Sequence, residues 1–275
     1  MGFLFHGKYL ATLKCESIFP IKIICAFEQG VFQENLEGDM YSFGSKVRYS
    51  EVDSEGYIKL NSILDYFQDC SFFQSEGLGV GLRFMAERKL AWVLASWQVE
   101  INRYPAYGEE ISVSTWPYDF KSFFGYRNFT IQGEGEEPCA RANSVWVLLD
   151  VRTGRPTRVL QEIADAYEFF PQLPMEKGSR KILLPEGMEA KEPFPVHKYH
   201  IDTNQHVNNG KYVCMAQEYL PRGFTTGKMK TEYRKAAVYG DMIYPYAVQE
   251  GKKVTVNLAD KEGIPYAVIE LEENE

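Results

Sequence analysis

Apolar positions recur along this chain with two rhythms. Between Asn61 and Ser75, residues Ile63, Leu64, Phe67, Cys70 and Phe73 return at three- and four-residue steps. That spacing predicts a helix with one buried stripe. Four strand-like runs follow: Leu90 to Asn102, Glu110 to Tyr118, Phe123 to Gln132 and Pro138 to Asp150. The segments RYPAYG, YDFKS, GEGEE and VRTGRP punctuate them, and such short turn-rich connections predict an antiparallel meander. No long helix alternates with these strands, which argues against a parallel α/β sheet. Tyr41 to Val52 reads as extended and ends in a polar turn, Asp53 to Tyr57.

After Asp150 the periodicity is lost. Pro156, Pro171, Pro174 and Pro185 mark a linker with one short helix near Gln161 to Glu168. Then the early plan returns. Phe194 to Ile201 is extended, a polar turn follows, and Tyr212, Val213, Met215, Ala216 and Tyr219 fall on or near one helical face. Strands are predicted at Lys228 to Lys235, Asp241 to Val248, Lys252 to Asp260 and Pro265 to Leu271.

The two stretches align. Asp53 and Asp202 stand 149 residues apart, and the same offset pairs Gly56 with Gln205, Tyr57 with His206, Leu64 with Val213 and Asp69 with Glu218. Later, Tyr107–Gly108–Glu109 matches Tyr239–Gly240–Asp241 at an offset of 132. The first copy therefore has a longer helix-to-strand connection, where Gly77, Gly79 and Gly81 lie. These glycines follow a helix rather than a strand, so they lack the context of a nucleotide-binding loop and read as a flexible connection. An internal repeat decides the fold class before any single element does. The expected division is an N-terminal extension over 1–39, a first half over 40–160, a linker over 161–192 and a second half over 193–275.

The copies differ in chemistry at the turn. The second reads Asp202-x-Asn204-x-His206, whereas the first has Asp53, Glu55 and Tyr57 at those places. A carboxylate, an amide and an imidazole thus stand where a helix begins. The backbone N–H groups of Val207, Asn208 and Asn209 are the expected donors there, because the first turn of a helix leaves N–H groups unpaired. An acid/base pair beside an N–H cradle suits acyl transfer, whose transition state places negative charge on a former carbonyl oxygen. The bland reading is that Asp and Asn are common caps and turn formers. Against it stand the scarcity of histidine (His6, His197, His200 and His206) and a first copy that keeps the turn without the imidazole.

Composition narrows the setting. The 275 residues are 45% hydrophobic and 25% charged, as in globular proteins. Tyr and Phe number 18 each, which favours strands. A net charge of −8 provides no global field for nucleic acid. Five cysteines, Cys15, Cys25, Cys70, Cys139 and Cys214, are odd in number and never paired as C-x-x-C. They fit free thiols in a reducing cytoplasm rather than disulfides or zinc. Residues 1–39 are interrupted by Lys8, Lys14, Glu16 and Lys22. That is too polar for a membrane span of about 20 apolar residues, and no cleavage site follows. The functional chain is expected to begin at Met40.

Three ordered motifs carry a resemblance: DTNQHVNNGKY at 202–212, WVLASWQVEINRYPAYGE at 92–109 and ARANSVWVLLDVRTGRP at 140–156. From Met40 onward the chain resembles the acyl-acyl carrier protein thioesterases of plant plastids and bacteria. The resemblance implies an α+β fold of two tandem hotdogs, each an antiparallel sheet wrapped around a central helix. It implies hydrolysis of a fatty acyl-acyl carrier protein thioester, without cofactor or metal, by Asp202, Asn204 and His206. One departure stands out. Plant members carry an acidic residue and a cysteine where this chain has Ala236 and Ala237, which leaves Glu232 as one candidate substitute.

The first half is expected to choose the acyl chain through Ile63, Leu64, Phe67, Trp92 and Trp97, so that shortening Phe67 or Trp97 would lengthen the product. Acyl carrier protein is the expected partner, met by Lys177, Arg180, Lys181, Lys211, Arg222, Lys228 and Lys230. No nucleic acid and no membrane span are expected, and a homodimer is left open. The competing readings are a hotdog hydratase or dehydratase, and a non-catalytic acyl-binding protein.

Overall fold

The computed structural model describes residues 40–176 and 179–274. The N-terminal extension, with His6, Cys15 and Cys25, and Lys177 lie outside the described residues. In chain order the first half comprises β1 (Tyr41–Lys46), α1 (Leu60–Gly77), α2 (Leu82–Glu87), β2 (Leu90–Ile101), β3 (Glu110–Lys121), β4 (Phe124–Gln132), β5 (Ala140–Asp150) and β6 (Arg155–Pro156). After α3 (Gln161–Ala166) come β7 (Glu189–Ala190), β8 (Phe194–Pro195), α4 (Asn209–Gln217), β9 (Thr226–Tyr233), β10 (Met242–Glu250), β11 (Lys253–Ala259) and β12 (Pro265–Glu273). The class is α+β: one antiparallel sheet in the order β1-β3-β4-β5-β2-β9-β12-β11-β10-β7, with few helices.

The repeat is written in the backbone hydrogen bonds. Asp53 N–H donates to the Tyr57 carbonyl at 2.8 Å, and Asp202 N–H donates to the His206 carbonyl at 2.8 Å. Ile58 N–H reaches Pro105 O and Val207 N–H reaches Ala237 O, each at 2.9 Å. Val47 donates to Glu109 O at 2.9 Å, as Val196 does to Asp241 O at 2.8 Å. The offsets are the two read from the sequence. One difference lies in β1. Its six residues pair with β3 without interruption, whereas the corresponding segment of the second half is broken into β7 and β8.

The halves join through equivalent strands. β2 and β9 pair antiparallel, with Ser96 opposite Glu232, Gln98 opposite Lys230 and Glu100 opposite Lys228. At the offset of 132 this pairing maps onto itself, so a local twofold axis passes beside Gln98 and Lys230. The symmetry brings α1 of the first half against α4 of the second. One core serves both halves, including Phe67, Phe129, Tyr212, Met229 and Ile269, each at most 2% exposed.

Two expected loops are ordered by specific contacts. The glycine-rich stretch after α1 is a helix cap. Val80 N–H returns to Ser75 O and Gly79 N–H to Glu76 O, each at 3.0 Å, with Gly79 at φ 73°. That is the Schellman arrangement, which favours glycine at the left-handed position. The linker is tied to the sheet. Ile163 is fully buried with Val80, Met85, Leu90 and Leu148. Pro171 O accepts from Trp116 Nε1 at 2.9 Å and from Asn128 Nδ2 at 3.2 Å. Proline lacks an N–H but keeps its carbonyl, so this Pro-rich segment docks by accepting.

Phe67 shows what the core requires. Its ring lies 5.2 Å from that of Phe129 and 5.9 Å from that of Trp97, with no exposure. Phe67→Ala is expected to lower unfolding free energy by about 3–5 kcal/mol, read as a shift in denaturant midpoint. A stable variant with altered product length would instead make Phe67 a wall of the acyl site.

Candidate active site

The turn 202–206 is built by Asp202. Its Oδ1 accepts the N–H of Asn204 at 2.8 Å and of His206 at 3.4 Å. Gln205 takes φ 63°, where the first copy has Gly56 at φ 87°. Asp53 Oδ1 accepts from Glu55 at 2.9 Å and Tyr57 at 3.1 Å in the same way. One carboxylate oxygen therefore shapes the loop in both halves. The half-buried His206 and exposed Asn204 are presented on that loop, and the second oxygen of Asp202 keeps its acceptor capacity.

The helix that follows is capped from within. Asn208 Oδ1 accepts the Gly210 N–H at 2.8 Å, and Asn208 O accepts from Lys211 at 2.9 Å. Two of the three expected oxyanion donors are committed elsewhere. Val207 N–H is bound to Ala237 O, and Asn208 N–H donates to His200 O at 2.9 Å. The Asn208 bond closes the Ile201–Val207 bridge that sets the turn, and the Val207 bond ties the turn to the segment after β9, so using either N–H would open the fold locally. Asn209, at the first position of α4, is the one of the three with no backbone acceptor among the described residues.

The first half contributes a residue that sequence reasoning missed. A Cβ added at Gly210 would meet Asn208 Oδ1 at 3.3 Å and Asp65 Oδ1 at 3.4 Å. The Asp65 carboxylate of α1 thus stands over the first turn of α4. Asp65 is exposed overall, but local desolvation where it meets α4 raises its carboxyl above the ordinary range, while Lys211 and Asn61 pull it back. Asp69, one turn on, is raised by burial and then by Asp65. At the repeat offset Asp65 faces Cys214, so the first-half helix carries an acid where its counterpart carries a thiol. The signal was there, in two acids at i and i+4 on α1, but it needs the α1–α4 apposition to be read.

Other candidates have structural roles. Glu232 accepts the Ile182 N–H at 2.9 Å and Arg234 Nη2 at 2.7 Å, so it holds the linker to β9. Ala237 donates its N–H to the Tyr212 hydroxyl at 2.9 Å, which fixes the connection between β9 and β10 against α4. His200 Nδ1 accepts the His197 N–H at 3.0 Å, and burial lowers its basicity. Lys228 and Lys230 share their surface with Glu100, Glu176, Glu270 and Glu272, a mixed rather than a basic patch. Of the five expected acyl contacts, Trp92 lines an apolar pocket at the far end of α1. Ile63, Leu64, Phe67 and Trp97 are at most 3% exposed in the common core and are absent from that pocket's walls.

Comparison with known proteins agrees with this architecture. The family model for the acyl-ACP thioesterase N-terminal domain matches residues 38–167, and that for the C-terminal domain matches 185–269. The chain belongs to the acyl-ACP thioesterase family. It is 25% identical over 265 residues to oleoyl-acyl carrier protein thioesterase 1 of Arabidopsis thaliana, covering 84% of this chain and 73% of that protein. It is 26% identical over 197 residues to a chloroplastic acyl-[acyl-carrier-protein] hydrolase of Cuphea viscosissima, covering 67% of this chain and 48% of the relative. The chain thus spans about half the length of that Cuphea relative.

Solved structures share the fold. An acyl-ACP thioesterase of Bacteroides thetaiotaomicron superposes with a TM-score of 0.78 at 20% identity, covering 85% of this chain and 97% of that one. The 12:0-ACP thioesterase of Umbellularia californica gives 0.77 at 21%, covering 88% and 99%. Two hotdog units in tandem are the architecture of this chain. No helix among the described residues is long and apolar enough to cross a membrane.

Proposed function

We propose that this chain hydrolyses the thioester joining a fatty acyl group to the phosphopantetheine arm of acyl carrier protein, in the cytoplasm, releasing free fatty acid. The observation that carries the reading is the duplicated turn. Both copies share one hydrogen-bond scheme, and the second adds Asn204 and His206 at the N-terminus of α4. His206 takes a proton from water as its oxygen attacks the thioester carbon. Asp202 orients and charge-stabilises the imidazole through its second oxygen. Asn204 holds the water or the carbonyl. The Asn209 N–H supports the oxyanion, a contribution of about 3 kcal/mol for a well-placed donor. Collapse expels the thiolate, which recovers the proton from His206. Asp65, whose carboxylate stands over the first turn of α4, is the candidate for the acidic role that Ala236 does not fill.

The test is to incubate the purified chain with dodecanoyl-acyl carrier protein and assay both products. Equimolar free thiol and dodecanoic acid are expected. In a parallel incubation with 2-dodecenoyl-acyl carrier protein, hydration with the thioester intact would assign the hydratase reading. Tight binding with no turnover would assign an acyl-binding protein.

A further inference from the structure

A buried cation lies far from the catalytic turn. Arg127 on β4 is 8% exposed, and no carboxylate among the described residues lies within ion-pair distance of it. Its Nη1 donates to Gln74 Oε1 and, at 3.2 Å, to Thr115 Oγ1. Its guanidinium carbon sits 5.1 Å from the centre of the Tyr167 ring. Guanidinium stays charged in proteins, and an uncompensated buried charge is costly. Amide, hydroxyl and ring offset only part of that.

Arg127 lines a small, partly open pocket of about 50 Å³. Phe72, Trp92, Phe120, Tyr126, Trp146 and Tyr167 wall it. Trp92 and Phe120 stack with centroids 5.9 Å apart and planes 18° from parallel. Gly125 admits them: a Cβ there would lie 3.1 Å from both rings. The walls are those of an aliphatic site, yet one of them is a charged fork.

The pocket lies along the same helix as the Asp65 carboxylate, and on that face of α1 Asp65 and Asp69 are exposed and Phe72 is half-buried. Asp65, Asp69 and Phe72 stand at i, i+4 and i+7, hence on one face of α1. Gln74, which holds Arg127, is nine residues beyond Asp65, about 14 Å along the helix. An extended alkyl chain advances roughly 1.25 Å per carbon from its bond length and angle, so a tail of about eleven carbons spans the interval.

Resting on the thioesterase reading above, we propose that this pocket receives the far end of the acyl chain and that Arg127 selects chains ending in a hydrogen-bond-accepting oxygen, a carboxylate above all. A terminal carboxylate would give the guanidinium its missing counter-charge through paired N–H donors, while the aromatic walls bury the methylenes. A plain methyl terminus leaves the charge unanswered.

Calorimetric titration of the whole protein tests this without passing through hydrolysis. The ligands are dodecanedioic acid and dodecanoic acid, which share one carboxylate and differ at the far end. Wild type is expected to bind the diacid at least tenfold more tightly. Arg127→Met, an apolar replacement of similar length, should bind both equally, and Arg127→Lys should keep part of the preference. Equal affinity in wild type, binding of neither acid, or a preference that survives in Arg127→Met would overturn the proposal. The wild-type comparison decides even if the variants do not fold. Loss of hydrolysis on dodecanoyl-acyl carrier protein would count against the catalytic reading and leaves this measurement intact.

Discussion

His206→Ala is expected to lower kcat on dodecanoyl-acyl carrier protein by about 100- to 10,000-fold, the usual share of a positioned general base. Stability should change by no more than about 0.5 kcal/mol. The reason lies in how the turn is held. Two of the bonds that hold position 206 are its own backbone N–H and carbonyl, to Asp202 Oδ1 and Asp202 N–H. Alanine keeps both. The imidazole is half-buried on an open turn, so its removal leaves no large cavity. Turnover numbers and chemical denaturation on the same preparation check the pair of expectations. Near-normal turnover would remove His206 from the reaction. A large fall in stability would make the loss of activity uninformative and the imidazole a packing group.

Much of the fold was legible because the repeat is carried by local signals. Aspartate turns, a Tyr-Gly-acid corner and two helical stripes survive in both copies, and the hydrogen bonds of Val47, Ile58, Val196 and Val207 realise the two offsets. What was not legible depends on distant partners. The N–H groups of Val207 and Asn208 look free at the start of a helix, but Ala237 and His200 supply carbonyls to them. Asp65 meets the first turn of α4 only because a twofold axis lays α1 against α4. The apolar pattern of α1 and β2 could not separate filled core from pocket. Phe67 and Trp97 face the common core, whereas Trp92 and Phe72 meet the space that Arg127 also enters. Periodicity reports that a residue is turned inward, not whether the volume beyond it is filled.

The two aspartate turns provide the sharpest comparison. Asp202 has a structural duty that Asp53 duplicates, so loss of the side chain should cost both turns alike. Asp202→Ala and Asp53→Ala are each expected to lower stability by about 1 kcal/mol, as when a side-chain acceptor of backbone N–H groups is lost. They should part on activity, with Asp53→Ala near wild type and Asp202→Ala severely impaired. Asparagine separates shape from charge. Its Oδ1 still accepts the N–H groups of residues 204 and 206, but it offers no negative charge to an imidazolium. Asp202→Asn should therefore fold with wild-type stability and lose about 100-fold or more in kcat, while Asp53→Asn loses nothing. The decisive measurement is kcat for thiol release from dodecanoyl-acyl carrier protein by folded Asp202→Asn. A loss of about two orders of magnitude at unchanged stability is what a catalytic carboxylate predicts; a wild-type rate would show that Asp202, like Asp53, only shapes its turn.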